Sequence, residues 1–381
     1  MTANPAIAGL LPAAAVRERA HEMLDLALEG RVEGWRVDLE RLHDAAELTA
    51  AVTRENYPDL AIPFHARARH FVAGAPEPAG PRAAFDLIIL SVLLDAGAGP
   101  SWRFTDPVSG RTLSRSEGLA VASQRMFEAG ELEDLAGLDT ETLARGFQVS
   151  ERNPLAGLDG RAALLRRLGA RAAERPDLFA GGRPGGLYDV LAGRAEGGRL
   201  PAAAILELLL EALGPIWADR LVVDGVPLGD CWRHPAIRRS DASDGLVPLH
   251  KLSQWLAYSL IEPLEEAGLE VVEIDGLTGL AEYRNGGLFV DTGVLALADP
   301  ADAGRAHPVS DPLIVAWRAM TVALLDRMAP RVRERLGVGA DAFPLARMLE
   351  GGSWAAGRRI AAELRPGGGP PFTIISDGTV F

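Results

Sequence analysis

The sequence predicts a mainly α-helical protein with a small β element, and three observations carry that prediction. Apolar residues recur at helical spacing over most of the 381 positions, strand-like alternation is confined to a few short stretches, and the 48% apolar content supplies a sizeable core. No repeat, low-complexity tail or clean boundary interrupts the pattern. Residues 1–381 therefore read as one large, mainly helical domain with a β-hairpin near 270–295.

Taken in order, residues 17–29 place Ala20, Met23, Leu24, Ala27 and Leu28 on one stripe, and residues 85–95 are apolar enough to be buried all round. Residues 113–129 and 161–175 are amphipathic. The helix at 202–213 is stopped by Gly214-Pro215, and the one at 252–267 by Gly268. The longest, 312–335, opens with Asp311 as cap and Pro312 at the first helical position. A last helix is expected over 353–364. Alternation marks a strand over 269–274, and Asn285-Gly286-Gly287 between apolar residues reads as the turn of a hairpin over 283–290. Phe372 to Ile375 make a final strand, and 181–198 and 367–371 read as loops.

Charge removes several classes of function. The net charge is −13, which argues against a nucleic-acid footprint or an anionic membrane surface. The lone Cys231 can form neither an internal disulfide nor a CxxC site. The first 16 residues lack the basic region of a signal peptide, and the strongest apolar run, 87–94, falls far short of the roughly 20 residues of a membrane span. A soluble cytoplasmic protein with no membrane partner is expected.

The 39 basic residues include one lysine, Lys251, which leaves 38 arginines. Lysine is a compact, flexible point charge where arginine is a wide, permanently charged fork, so position 251 stands out as one that needs the former, unless it is a chance survivor of an arginine-biased composition. Around it, Leu249-His250-Lys251-Leu252-Ser253-Gln254-Trp255 crowds polar groups at the mouth of an apolar helix. Common machines are missing. There is no GK[ST], no HExxH, and Gly351-Gly352-Ser353-Trp354-Ala355 lacks the last glycine of GxSxG. Gly97-Ala98-Gly99 is followed by Trp102 where a dinucleotide fingerprint needs a third glycine. No spacing fits a metal, and no cofactor is expected.

Four polar clusters remain. His65-Ala66-Arg67-Ala68-Arg69-His70 could bind an anion or form a solvated helix face. Asp95 to Trp102 bring small residues and an aromatic wall to the end of an apolar helix, as a ligand site or as ordinary glycine punctuation. Asp230-Cys231-Trp232-Arg233-His234 precedes the Lys251 motif, whose Gln254 and Tyr258 share one helix face. Glu282 and Asp291 flank Tyr283-Arg284-Asn285-Gly286-Gly287, around a pocket or as decoration of a hairpin.

Residues 62–71, 94–102, 247–260, 282–291, 317–326 and 376–381 together resemble the uracil-catabolism protein family of fungi and bacteria, and the HKLSQW and EYRNGG patterns are specific to it. The likeness spans nearly the whole chain. It implies a role in removing a ribosylurea-type intermediate, formed when the uracil ring is opened while still attached to ribose. One departure is Ala316, where the family pattern carries a carboxylate. A fainter similarity links the chain to the queuosine-salvage nucleoside hydrolases, through the spacing of Asp95 and Trp102 and the final Gln254 of their DYRxPQ motif. That similarity implies a DNA-glycosylase-like helical fold, although the position of their catalytic Asp is Leu249 here.

Breaking a ribosyl C1′–N bond develops positive charge on the sugar and requires help for the leaving nitrogen. With the resemblance in hand, Asp230, Glu282 and Asp291 are the carboxylates that could meet the charge, and His250 is the expected proton donor. Lys251 would hold a phosphate or ribose hydroxyl, with Arg67 or Arg284 as clamps and Gln254 and Asp95 as further substrate contacts. Trp102 and Trp232 would exclude water. The partner is then a small ribosyl or ribosyl-phosphate substrate. Two alternatives stand beside this: a lyase or isomerase forming a Schiff base through Lys251, and a non-catalytic interaction protein of the pathway.

Overall fold

The computed structural model describes residues 4–72, 78–217 and 220–375, and helices dominate it. The longer ones are α1 (Ala13–Leu28), α2 (Leu42–Asn56), α3 (Pro81–Leu93), α4 (Arg115–Glu128), α5 (Leu158–Glu174), α6 (Leu187–Arg194), α7 (Ala202–Leu213), α8 (Lys251–Glu266), α9 (Tyr283–Asp291), α10 (Pro312–Leu336) and α11 (Trp354–Leu364). None of the described helices is long and apolar enough to cross a membrane. Residues 376–381, part of the family resemblance, lie outside the described residues.

Two compact units emerge, each assembled from separated stretches. Of the described residues, unit 1 comprises 4–65, Arg220–Trp255 and Glu273–Ile375; unit 2 comprises 66–72, 78–217 and Leu256–Val272. This interleaving is why composition along the chain shows no boundary.

In unit 1, α10 is the central rod. It starts as the sequence predicts, with the Asp311 carboxylate accepting from the Leu313 N–H at 2.9 Å and proline next in line. Every residue from Leu313 to Leu325 is buried, and α10 packs on α1 and α2. Trp35–Val37 pairs antiparallel with Leu295–Leu297, Cys231–Arg233 antiparallel with Leu246–Pro248, and Ala306–Pro308 parallel with Thr373–Ile375, the last being the expected final strand.

The hairpin expected near 270–295 is not formed. Residues 283–291 are the helix α9, because Glu282 caps it by accepting the N–H groups of Arg284 and Asn285 at 2.7 and 2.5 Å. Gly286 is a packing residue rather than a turn residue: a Cβ there would sit within 2.8 Å of the Trp317 indole. Gly357 plays the same part where α11 meets α9, since its Cβ would collide with the Arg284 carbonyl oxygen. Gly357→Ala is therefore expected to destabilise the protein by about 1–3 kcal/mol, read as a lowered urea midpoint. A wild-type midpoint would show that the two helices are not held this closely.

In unit 2, α3 is buried throughout Leu87 to Leu93 and packs on α4. Arg199–Pro201 pairs parallel with Glu270–Val272, so the strand expected at 269–274 exists but joins a distant segment. The stretch 181–198, expected as a loop, contains α6. Gly185 and Gly186 let the preceding turn lie against the backbone of Arg82 and of Phe179–Ala180, and that close approach seats the helix.

Candidate functional site

Lys251 is presented by a rigid device in unit 1. The Asp230 carboxylate accepts two hydrogen bonds from the Arg318 guanidinium, at 2.8 and 2.7 Å, one from the Trp232 indole N–H at 2.6 Å, and one from the Lys251 backbone N–H at 2.9 Å. Its backbone carbonyl accepts the N–H groups of Leu249 and His250. One residue thus fixes the whole approach to α8. His250 turns the corner in a left-handed conformation, φ +46°, which a non-glycine residue adopts only when its surroundings enforce it.

These bonds reassign two expected catalytic residues. Burial pushes the Asp230 carboxyl up, but the Arg318 charge and hydrogen bonds, with the Lys251 and Trp232 N–H groups, outweigh it and hold the carboxyl well below the usual range. It is an anchor with every strong acceptor position in use. His250 is 1% exposed, and burial pushes its imidazolium pKa down, opposed only in part by its bond to the Leu10 carbonyl and by Asp230. The ring is neutral at pH 7, with its Nε2–H given to Leu10 at 3.1 Å and Nδ1 without a hydrogen-bond partner. A proton donor to substrate is not what this ring can be.

Other expected residues separate in the same way. The Asp291 carboxylate is 3% exposed and clamped by both terminal nitrogens of Arg365 at 2.7 and 2.6 Å. Gln254 is buried and exchanges hydrogen bonds with Thr278, donating to its hydroxyl at 2.8 Å and accepting its N–H at 3.3 Å. Arg284 donates to the Gly368 carbonyl and lies 4.9 Å from the Tyr283 ring centroid. Arg67, Asp95 and Trp102 fall in unit 2. There the buried Arg67 guanidinium reaches Ser91, Ser116 and, at 3.0 Å, Asp95. Trp102 is fully buried and donates its indole N–H to the Phe147 carbonyl at 3.0 Å, as a core residue does. A cavity of about 440 Å³ in unit 2, with Phe71, Leu87, Ile88 and Pro263 in its wall, contains none of the expected residues.

What unit 1 does gather is a cluster around Trp255. The Lys251 ammonium lies 5.6 Å from the Trp255 ring centroid, on the same helix one turn away. The His65 imidazole stands 6.2 Å from Trp255 and 6.4 Å from Trp354, centroid to centroid. Its Nδ1 pairs with Glu350 at 2.7 Å, and the other Glu350 oxygen faces the Tyr57 hydroxyl at 3.4 Å. Glu282 completes the group. Burial raises its carboxyl, only partly offset by the two capping N–H groups and by the positive charges of Lys251 and His65. A carboxylate, an ammonium, an imidazole–carboxylate pair and two indoles can together bind a polar ring and support charge developing on it.

Glu350 owes its position to unusual backbone. Leu349–Ser353 form a π-helical turn between a short helix, Leu345–Met348, and α11. Such turns concentrate at functional sites. Gly351 and Gly352 let it press against Ile62, Thr53 and the Thr49 carbonyl, where a side chain would collide. Ser353 then donates to Asn285 at 2.9 Å and ties the turn to α9. Sequence reasoning missed Glu350, Trp354, Tyr57 and Arg318, and placed His65 only in a cationic cluster. The paired glycines before Ser353-Trp354 were the available signal.

Among the described residues no three His, Cys, Asp or Glu side chains converge as a metal site. The profile of a family described as "Protein of unknown function (DUF1688)" matches residues 9–381. Protein urg3 of Schizosaccharomyces pombe is 39% identical over 413 residues, covering 98% of this chain and 99% of its own length. Uracil catabolism protein 4 of Lachancea kluyveri is 35% identical over 444 residues, with both chains covered completely.

Proposed function

The chain belongs to the DUF1688 family of uracil-catabolism proteins, and from that premise we propose that it is a hydrolase that cleaves the N-ribosidic bond of a ribosylurea-type intermediate, releasing urea and the sugar. The observation that carries the reading is the gathering of Lys251 and His65 on Trp255, with the buried Glu282 carboxylate held at the start of α9 by two N–H groups and favoured in its ionised form by both positive charges. As C1′–N cleavage proceeds, positive charge spreads over C1′ and the ring oxygen, and a carboxylate in a poorly hydrated setting stabilises it far better than water does. Glu282 is that carboxylate. Its two N–H bonds hold it without neutralising its charge. Lys251 meets a sugar hydroxyl or a 5-phosphate as a point charge, and the indole of Trp255 covers the sugar face. A DNA-glycosylase-like arrangement of the helices belongs to the same proposal.

The experiment is urea release from ribosylurea and from its 5-phosphate across pH. Glu282 must be ionised to act, and its carboxyl is raised above 4.5. The acid limb of the rate profile is therefore expected above the position an ordinary glutamate would give. Folded protein that releases no urea from either substrate would remove the reading. An acid limb at or below pH 4.5 would remove Glu282 from it.

A further inference from the structure

Resting on the ribosidase reading, we propose that His65, oriented by Glu350 from the π-helical turn, is the catalytic acid that protonates the departing ureido nitrogen. The side chain expected for this task, His250, has its ring buried, neutral and bonded to Leu10. Among the other histidines of unit 1, His307 is buried with Nδ1 on Asp311 and Nε2 on the Asp302 carbonyl, His21 pairs with Asp326, and the exposed His43 accepts the Arg335 guanidinium with Nδ1 at 2.6 Å. His234 accepts the Ala236 N–H with Nδ1 and is lowered to about 4 by burial. His65 is the one that bears on the electrostatics of Glu282.

Its geometry is that of an oriented acid–base. Glu350 takes Nδ1–H, which fixes the tautomer and ring plane and makes Nε2 the nitrogen that exchanges protons, the general arrangement of carboxylate-supported imidazoles. Glu350 is itself fixed by Tyr57 and by a turn whose glycines are jammed against α2 and the chain at Ile62. Trp255 and Trp354 flank the imidazole as tilted rings, at 34° and 40° to its plane. In the step, the C1′–N bond breaks and its electron pair goes to nitrogen, which takes the Nε2 proton of the imidazolium. Water bonds to C1′ through oxygen, and the proton it loses returns to Nε2. One water is consumed, and nothing is oxidised or reduced.

The test separates protonation from the rest of catalysis by changing the leaving group. With ribosylurea, whose nitrogen must be protonated, His65→Asn is expected to lower kcat about 10²–10⁴-fold; with p-nitrophenyl β-D-ribofuranoside, whose phenolate leaves unaided, the loss should stay below about tenfold. Glu350→Gln should show the same selectivity at smaller size, and it decides the matter if His65→Asn does not fold. Where the wild type refuses the nitrophenyl compound, recovery of His65→Gly on ribosylurea by added imidazole supports the assignment and absence of recovery overturns it. Equal losses on both substrates, or no loss, overturn the role of His65 while leaving the ribosidase reading intact. A wild type inactive on ribosylurea and its 5-phosphate removes both.

Discussion

Asp230→Ala is expected to lower folding stability by about 3–5 kcal/mol, the cost of leaving a buried guanidinium without its partner. Arg318 is 2% exposed and gives both terminal nitrogens to Asp230, so no solvent reaches it to take over. The same substitution removes the acceptor of the Lys251 backbone N–H and of the Trp232 indole N–H, while the backbone carbonyl of residue 230 still accepts from Leu249 and His250. Stability and activity should then part in a second variant. Asp230→Leu with Arg318→Met replaces the ion pair by apolar groups, and the urea midpoint should recover most of the loss. Urea release should remain low, because Lys251 has lost its anchor. The pH dependence follows from the depressed carboxyl: the stabilisation is complete above the ordinary value of 3.8 and is lost only as pH falls below it towards the folded-state value. A single variant with an unchanged midpoint would show that Asp230 does not hold this corner.

Glu282→Asp should lower kcat for urea release about 10²–10³-fold while leaving stability within about 0.5 kcal/mol of wild type. Aspartate is the better helix cap, so the N–H groups of Arg284 and Asn285 stay satisfied and α9 stays in place. The carboxylate is nevertheless withdrawn by one methylene from the Lys251 and His65 side of the cluster. Glu282→Gln removes the charge without moving the group and should lose similar activity, together with about 1 kcal/mol from the weakened cap. Retained activity in Glu282→Asp would mean that Glu282 only starts a helix.

How much could be read in advance depended on how local each cause is. The start of α10 is set by Asp311 and Pro312, adjacent in sequence, and was legible. The long apolar stretch of α3 needed only its own residues. Asn285-Gly286-Gly287 misled because the reason for the glycine, the indole of Trp317, lies 31 residues away and cannot be weighed without the fold. The site divides along the same line. Lys251 declared itself by count and Trp255 by one helical turn, whereas the Asp230–Arg318 pair spans 88 residues and the His65–Glu350 pair spans 285. Asp291 and Trp102 had the right chemistry, but Arg365 and Phe147, far along the chain, had already claimed it.

The interleaving of the two units bears on how the chain is made. Trp35 pairs with Leu297, and Arg17 with Asp326, and although α1 meets Arg239 and the strand Leu246–Pro248 earlier, the faces of α1 and α2 that pack on α10 stay uncovered until about 260 or more further residues have left the ribosome. At a synthesis rate of about 5–20 residues per second, that is a wait of roughly 15–50 s with α1 and α2 exposing their apolar faces. Most of unit 2, the stretch from residue 66 to 219, emerges within that interval and can collapse first. Newly made chains should therefore lean on holding chaperones at their N-terminal end, and slower translation should lengthen that dependence.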